Sequence, residues 1–335
     1  MPVSESRRID ALIAEIGSTT TVVSAFDGLH NPAAAGADGS PGAAAGGPCL
    51  LGQGTAPTSV ADGDVTYGVN AARIDLERQI GRLEPKITVA TSSAAGGLRM
   101  TVHGLTSKMT AMAAREAALG AGGVVEYQTA GVLRDADLAA IERARPGLIL
   151  LAGGVDGGDT ETVLANARRL AGLGIRPIVV YGGNASVAGE ASRVLADAGF
   201  RVRLTSNVYP GVDQLDIVPA RRVIHDAFEE HITHAPGMER IRESVTGTIL
   251  PTPGAVLIAA EALAAHLGDL VVVDVGGATT DVHSVTDGSP EIAAISIDPQ
   301  PHSKRTVEGD LGTFVSARHV AELIAAPERP DPLPP

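Results

Sequence analysis

Two stretches decide the fold: Leu12-Ile-Ala-Glu15-Ile-Gly17-Ser18-Thr19-Thr20-Thr21-Val22-Val23 and Val271-Val-Val-Asp274-Val-Gly276-Gly277-Ala278-Thr279-Thr280-Asp281-Val282. Each reads as an apolar strand ending in a carboxylate, one apolar residue, a glycine, small hydroxylic residues and a second β-branched strand. Glycine lets backbone N–H groups come close to phosphate oxygens, and Ser or Thr hydroxyls add donors. A carboxylate at a strand end can hold the waters that Mg²⁺ retains. One such hairpin is a common turn; the pair, one opening each half of the chain, points to a two-sided phosphate cleft. The sequence has no Gly-x-x-x-x-Gly-Lys-Ser/Thr loop and no Gly-x-Gly-x-x-Gly between a strand and a helix, which removes support from the rival nucleotide folds.

Composition narrows the function classes. With 335 residues, 44% of them apolar, the chain can fill one or two cores. Aromatics make up 2% and the net charge is −13, so base-stacking platforms are scarce and a phosphate polymer would be repelled: nucleic acid is not an expected partner. The single cysteine, Cys49, excludes a disulfide framework and reads as an incidental loop thiol. Charged residues between Glu5 and Asp10 break any secretory layout, and Glu261, His266 and Asp269 interrupt the apolar run 254–275, so no membrane partner and a cytoplasmic location are expected.

Between the two hairpins, residues 28–48 are mostly Gly, Ala and Pro and read as a flexible insertion. A strand over 87–91 and a helix over 106–119, capped by Thr106 or Ser107, follow. Lys108 in that helix could reach a phosphate, but a solvated surface lysine is the better reading. Residues 146–206 form a parallel α/β unit, with strands at 148–152, 177–181 and 201–204. Its glycine loops 153–159 and 182–184 either bind a ligand at strand ends or simply turn the chain, with Asp159 or Thr160 capping the next helix. In the helical region 219–244, His231 and His234 share a face near His225, Glu229 and Glu230, a pattern open to metal binding or to plain solvation. The expected division is a first lobe over 1–250, the start of a second over 251–325, and a disordered Pro-rich tail over 326–335.

Paired loops of this kind resemble the superfamily of actin, sugar-kinase and heat-shock-70 ATPases. The closer resemblance is to the MutL/GlmL family, the glutamate mutase accessory proteins, carried by Leu12-IAEIGSTTTVVSAFDG, Leu51-GQGTAPTSV, Val65-TYGVNAA, Ser92-SAAGGLRM, Gly153-GVDGGDTE, Val180-YGGN, Pro251-TPGAVLIAAEAL, Val272-VDVGGATTDVHSV and Arg305-TVEGDLG. It implies an α/β, actin-like (ribonuclease-H-like) fold with an internal parallel unit. It also implies a chaperone-like protein that binds ATP and Mg²⁺ and serves an adenosylcobalamin-dependent aminomutase of the glutamate or methylaspartate type, aiding cofactor exchange or reactivation. By carry-over, Gly17, Ser18, Thr19 and Thr20 form one phosphate loop and Gly276, Gly277, Ala278 and Thr279 the other. Glu15, Asp274 and Asp281 are the catalytic acids, with Glu15 and Asp274 near the metal.

Three departures qualify the carry-over. Glu15 stands where the superfamily has Asp, which moves the carboxylate by about an ångström. The 28–48 insertion lengthens the first hairpin's exit. Only residues 282–335 follow the second loop, too few for the superfamily's adenosine-binding segment, so a truncated second lobe is expected. The alternative role is then a mutase-docking module without turnover. Asp281-Val-His283 also begins like a cobalt-ligating Asp-x-His-x-x-Gly loop, but Thr286 occupies the glycine position.

Overall fold

The computed structural model describes residues 6–29, 47–59, 63–93, 98–232, 238–295, 300–308 and 311–325. Most of the 28–48 insertion, His234 and the 326–335 tail therefore lie outside the described residues. Strands β1 (Arg7–Ile16) and β2 (Thr20–Asp27) form the first hairpin, and β3 (Cys49–Pro57) pairs antiparallel with β2. Helix α1 (Thr66–Ile80) returns the chain across one face of this meander, so that β4 (Leu83–Ser92) runs parallel to β1. Leu12, Ala14 and Ile16 are buried on the α1 side, together with Val23 and Ala25.

A parallel unit follows: β5 (Leu98–Gly104), α2 (Thr110–Gly120), β6 (Gly123–Ala130), α3 (Asp135–Ala144), β7 (Leu148–Leu151), α4 (Glu161–Ala171), β8 (Ile178–Tyr181), α5 (Ala188–Asp197) and β9 (Val202–Leu204). Its strand order is β6-β5-β7-β8-β9, all parallel. The sheet thus reaches beyond the expected 146–206 to include β5 and β6. Thr101 and His103 make β5 look too polar for a central strand, yet both are buried, because the imidazole bonds Thr129 through Nδ1 (2.8 Å) and Thr101 through Nε2 (3.0 Å). Helix α2 also begins later than expected, at Thr110 rather than Thr106. The Thr110 hydroxyl accepts the N–H groups of Leu105 (2.7 Å) and Thr106 (3.2 Å), which holds 105–109 in turns.

The buried imidazole gives a pH prediction. Burial pushes His103 down to about 3 from its ordinary 6.5, so the unfolded chain binds more protons than the folded one between those values. Stability contributed by this group is complete above pH 6.5 and falls as the pH drops toward 3. At about pH 5 the loss is about 2 kcal/mol, and urea unfolding at that pH and at neutrality should show it. In His103→Gln the loss attributable to this residue should vanish.

Helices α6 (Val218–Ile232) and α7 (Met238–Ser244) lead back to β10 (Ile249–Pro251), which lies parallel to β4 and completes a mixed sheet of order β10-β4-β1-β2-β3. Helix α8 (Thr252–Leu267) then enters a second meander, β11 (Leu270–Val275), β12 (Thr280–Val285) and β13 (Ser303–Glu308), with α9 (Pro290–Ile295) between the last two and α10 (Ala317–Ala325) after them. This sheet repeats β1, β2 and β3 but has no counterpart of β4 or β10 among the described residues. Its outer face is bare: Val271, Val273 and Val275, which match the buried Leu12, Ala14 and Ile16, are 64%, 57% and 53% exposed. No helix among the described residues is long and apolar enough to cross a membrane.

Candidate functional site

The two hairpins close in the same way. Gly17 N–H donates to the Thr20 carbonyl (3.0 Å), and Gly276 N–H donates to that of Thr279 (2.9 Å). Register places Glu15 opposite Val22 in the first hairpin and Asp274 opposite Asp281 in the second. The tips meet closely, for a Cβ on Gly277 would lie 2.3 Å from Thr19 Oγ1. Between them opens a cleft of about 730 Å³. Glu15, Gly17, Ser18, Thr19 and Thr20 line one side, and Asp274, Gly276, Gly277, Ala278, Thr279 and Asp281 the other, so the two loops and three acids carried over by the resemblance reach one cavity.

Segment 311–316 clamps the second tip, and its Thr313 and Phe314 line the cleft as well. Thr313 N–H donates to Gly276 O (3.0 Å), Phe314 and Val315 N–H both donate to Gly277 O (3.0 and 2.7 Å), and Ser316 Oγ donates to Ala278 O (2.8 Å). In a planar trans peptide the N–H points opposite to the C=O. The N–H groups of Gly277, Ala278 and Thr279 are therefore turned away from the clamp. Helix α8 adds its N-terminal end, because Thr252 and Pro253 also line the cleft; the positive end of a helix dipole favours phosphate.

The acids are unequal. Glu15 is raised by desolvation in the cleft and then by the charge of Asp274. Asp274 is raised by desolvation and then by Asp281, with Arg305 opposing. Like charges crowded in this way are relieved by a cation between them, so Glu15 and Asp274 fit the neighbourhood of Mg²⁺. No group of three or more His, Cys, Asp or Glu side chains that could hold a metal ion occurs among the described residues. Asp281 differs, since its Oδ1 accepts from Arg305 Nε (2.9 Å) and Nη2 (2.7 Å) and its Oδ2 from Thr279 Oγ1 (3.2 Å). That pair is buried, with side chains 3% and 5% exposed.

Sequence reasoning missed Ser93, Thr252, Pro253, Thr313, Phe314 and Arg305. The strand-to-helix passage at Pro251-Thr-Pro-Gly254 was a usable signal, since Pro in a first helical turn marks an N-terminus. Other sequence candidates lie elsewhere. Lys108 is exposed in the turn before α2, and Cys49 is exposed on β3. The 153–159 and 182–184 loops hold one another: buried Asn184 donates to Gly158 O and Asp159 O and accepts from Gly157 N–H, while Asp159 accepts from Thr162 N–H as a helix cap. His283 is buried with neither ring nitrogen hydrogen-bonded, and burial, then Arg305, pushes it down to about 4.

A mixed five-stranded sheet, an inserted parallel unit and a second copy of the meander together define an actin-like ATPase-type α/β fold. Within that class the chain belongs to the MutL family, whose model, described as MutL protein, matches residues 11–329. Protein MutL of Clostridium tetanomorphum is 41% identical over 266 residues, covering 76% of this chain and 58% of that protein. The chain thus spans less than two thirds of this relative's length. A solved structure of nucleotide-free acetone carboxylase, titled for the mechanism of ATP-dependent acetone carboxylation, aligns with 13% identity and a TM-score of 0.34, over 90% of this chain and 48% of that one.

Proposed function

We propose that this chain is the ATP- and Mg²⁺-binding part of a chaperone-like accessory protein for an adenosylcobalamin-dependent aminomutase, where it assists cofactor exchange or reactivation. The observation that carries the nucleotide reading is the meeting of two like hairpin tips around a cleft with crowded carboxylates. Serine, threonine and backbone donors of 18–20 and 277–279 would bind phosphate oxygens, while Glu15 and Asp274 would hold the metal through its waters. Bound Mg²⁺ would supply neutralisation of phosphate charge. Asp281, with both oxygens engaged, fixes the second tip rather than activating water, so the function proposed is nucleotide-gated binding. Closure of the cleft on nucleotide would move the lobes and change the surface offered to the mutase.

Immobilised protein exposed to the purified mutase subunits should retain them differently with and without Mg-ATP. Equal retention in both conditions favours the second reading, a docking module without turnover. That reading draws on the bare outer face of β11, whose valines lack the cover their first-lobe counterparts have. No retention in either condition removes both.

A further inference from the structure

Arg305 makes contacts beyond the cleft. Its Nε and Nη2 hold one oxygen of Asp281, while Nη1 donates to the carbonyls of Leu119 and Gly123, both at 3.0 Å. Leu119 lies in the last turn of α2 and Gly123 begins β6, so one guanidinium spans the second hairpin and the corner of the parallel unit. A cation suits the negative end of a helix, and Arg alone offers a rigid fork with donors for a carboxylate on one side and carbonyls on the other. Burying such a charge pair is costly in desolvation, and an apolar replacement of both partners is often neutral or stabilising. The pair is therefore explained poorly by stability and well by positioning.

We propose that Arg305 is a positioning residue that couples occupancy of the cleft to the α2–β6 corner, through Asp281 on one side and the Leu119 and Gly123 carbonyls on the other. Asp281 faces the cleft and is cross-strand to Asp274, so any shift of the second tip on a ligand pulls the guanidinium and reaches the corner directly. The proposal rests on the nucleotide reading for the ligand, but the bridge itself is present without one.

Hydrogen exchange on the whole chain, with and without Mg-ATP, tests it in wild type and in Arg305→Lys, which keeps the charge but cannot make all four bonds. In wild type, Mg-ATP should slow exchange over 119–124 by threefold or more. In Arg305→Lys, Mg-ATP should bind about tenfold more weakly and leave 119–124 unaffected when saturating. A response at 119–124 that survives in Arg305→Lys overturns the coupling, as does its absence in wild type while the nucleotide binds. If wild type binds no Mg-ATP, the nucleotide reading fails and the ligand-free arm decides the bridge. There Arg305→Lys should speed exchange about tenfold at 281–283, the part of β12 that carries Asp281, and at 121–124, and little elsewhere. A uniform rise across the second sheet, or no change at either place, overturns the positioning role.

Discussion

Asp274→Asn is expected to weaken Mg-ATP binding on the order of a hundredfold while leaving the folded protein at least as stable as wild type. The two effects have one cause. Desolvation and the neighbouring Asp281 charge raise the Asp274 carboxyl, so its ionised form works against folding at neutral pH and in favour of a bound cation. Asparagine keeps the shape, removes the repulsion and removes the attraction for metal. Calorimetric titration gives the affinity and a thermal melt gives the stability. Binding that falls only together with the melting temperature would mean that Asp274 holds the fold instead. Glu15→Gln should act in the same direction but less strongly, because its side chain is the more exposed of the two.

Gly54→Val should cost about 3 kcal/mol. Gly54 lies on β3 under α1, where an added Cβ would sit 2.0 Å from Ala72 O and 2.4 Å from Leu76 N. Those are backbone atoms, so the clash is relieved only by lifting the helix off the sheet. Lifting it would uncover Leu76 and the Leu12, Ala14 and Val23 layer, all buried. The comparison is Gly189→Ala near the start of α5, where nothing lies within 4 Å of the added carbon. That variant should gain about 0.5 to 1 kcal/mol from helix propensity. Urea unfolding of both reads the contrast, and similar midpoints would show that the close approach of α1 to β3 is not what sets stability.

Much of the cleft was legible because its requirements are local. A phosphate loop needs small residues and a strand-end acid within a few positions, and the chain wrote that pattern twice. Partners that come from distant segments carried no such signal. Thr313 and Phe314 matter only because 311–316 folds against the carbonyls of 276–278, and Arg305 only because β13 pairs with β12 in a register that brings it to Asp281. The first two strands of the parallel unit, β5 and β6, were obscured for another reason. Thr101 and His103 read as surface residues until Thr129, twenty-six positions on, satisfies the imidazole.

Titrating Mg-ATP into wild type and Gly277→Val tests whether the two hairpin tips form one Mg-nucleotide site. Valine at 277 would drive its Cβ into Thr19, closing the gap between the tips without touching an acid. Wild type should show saturable, Mg²⁺-dependent binding at one site, and that binding should be lost in a Gly277→Val protein that still melts cooperatively. No binding to wild type, or equal binding to both proteins, would contradict it.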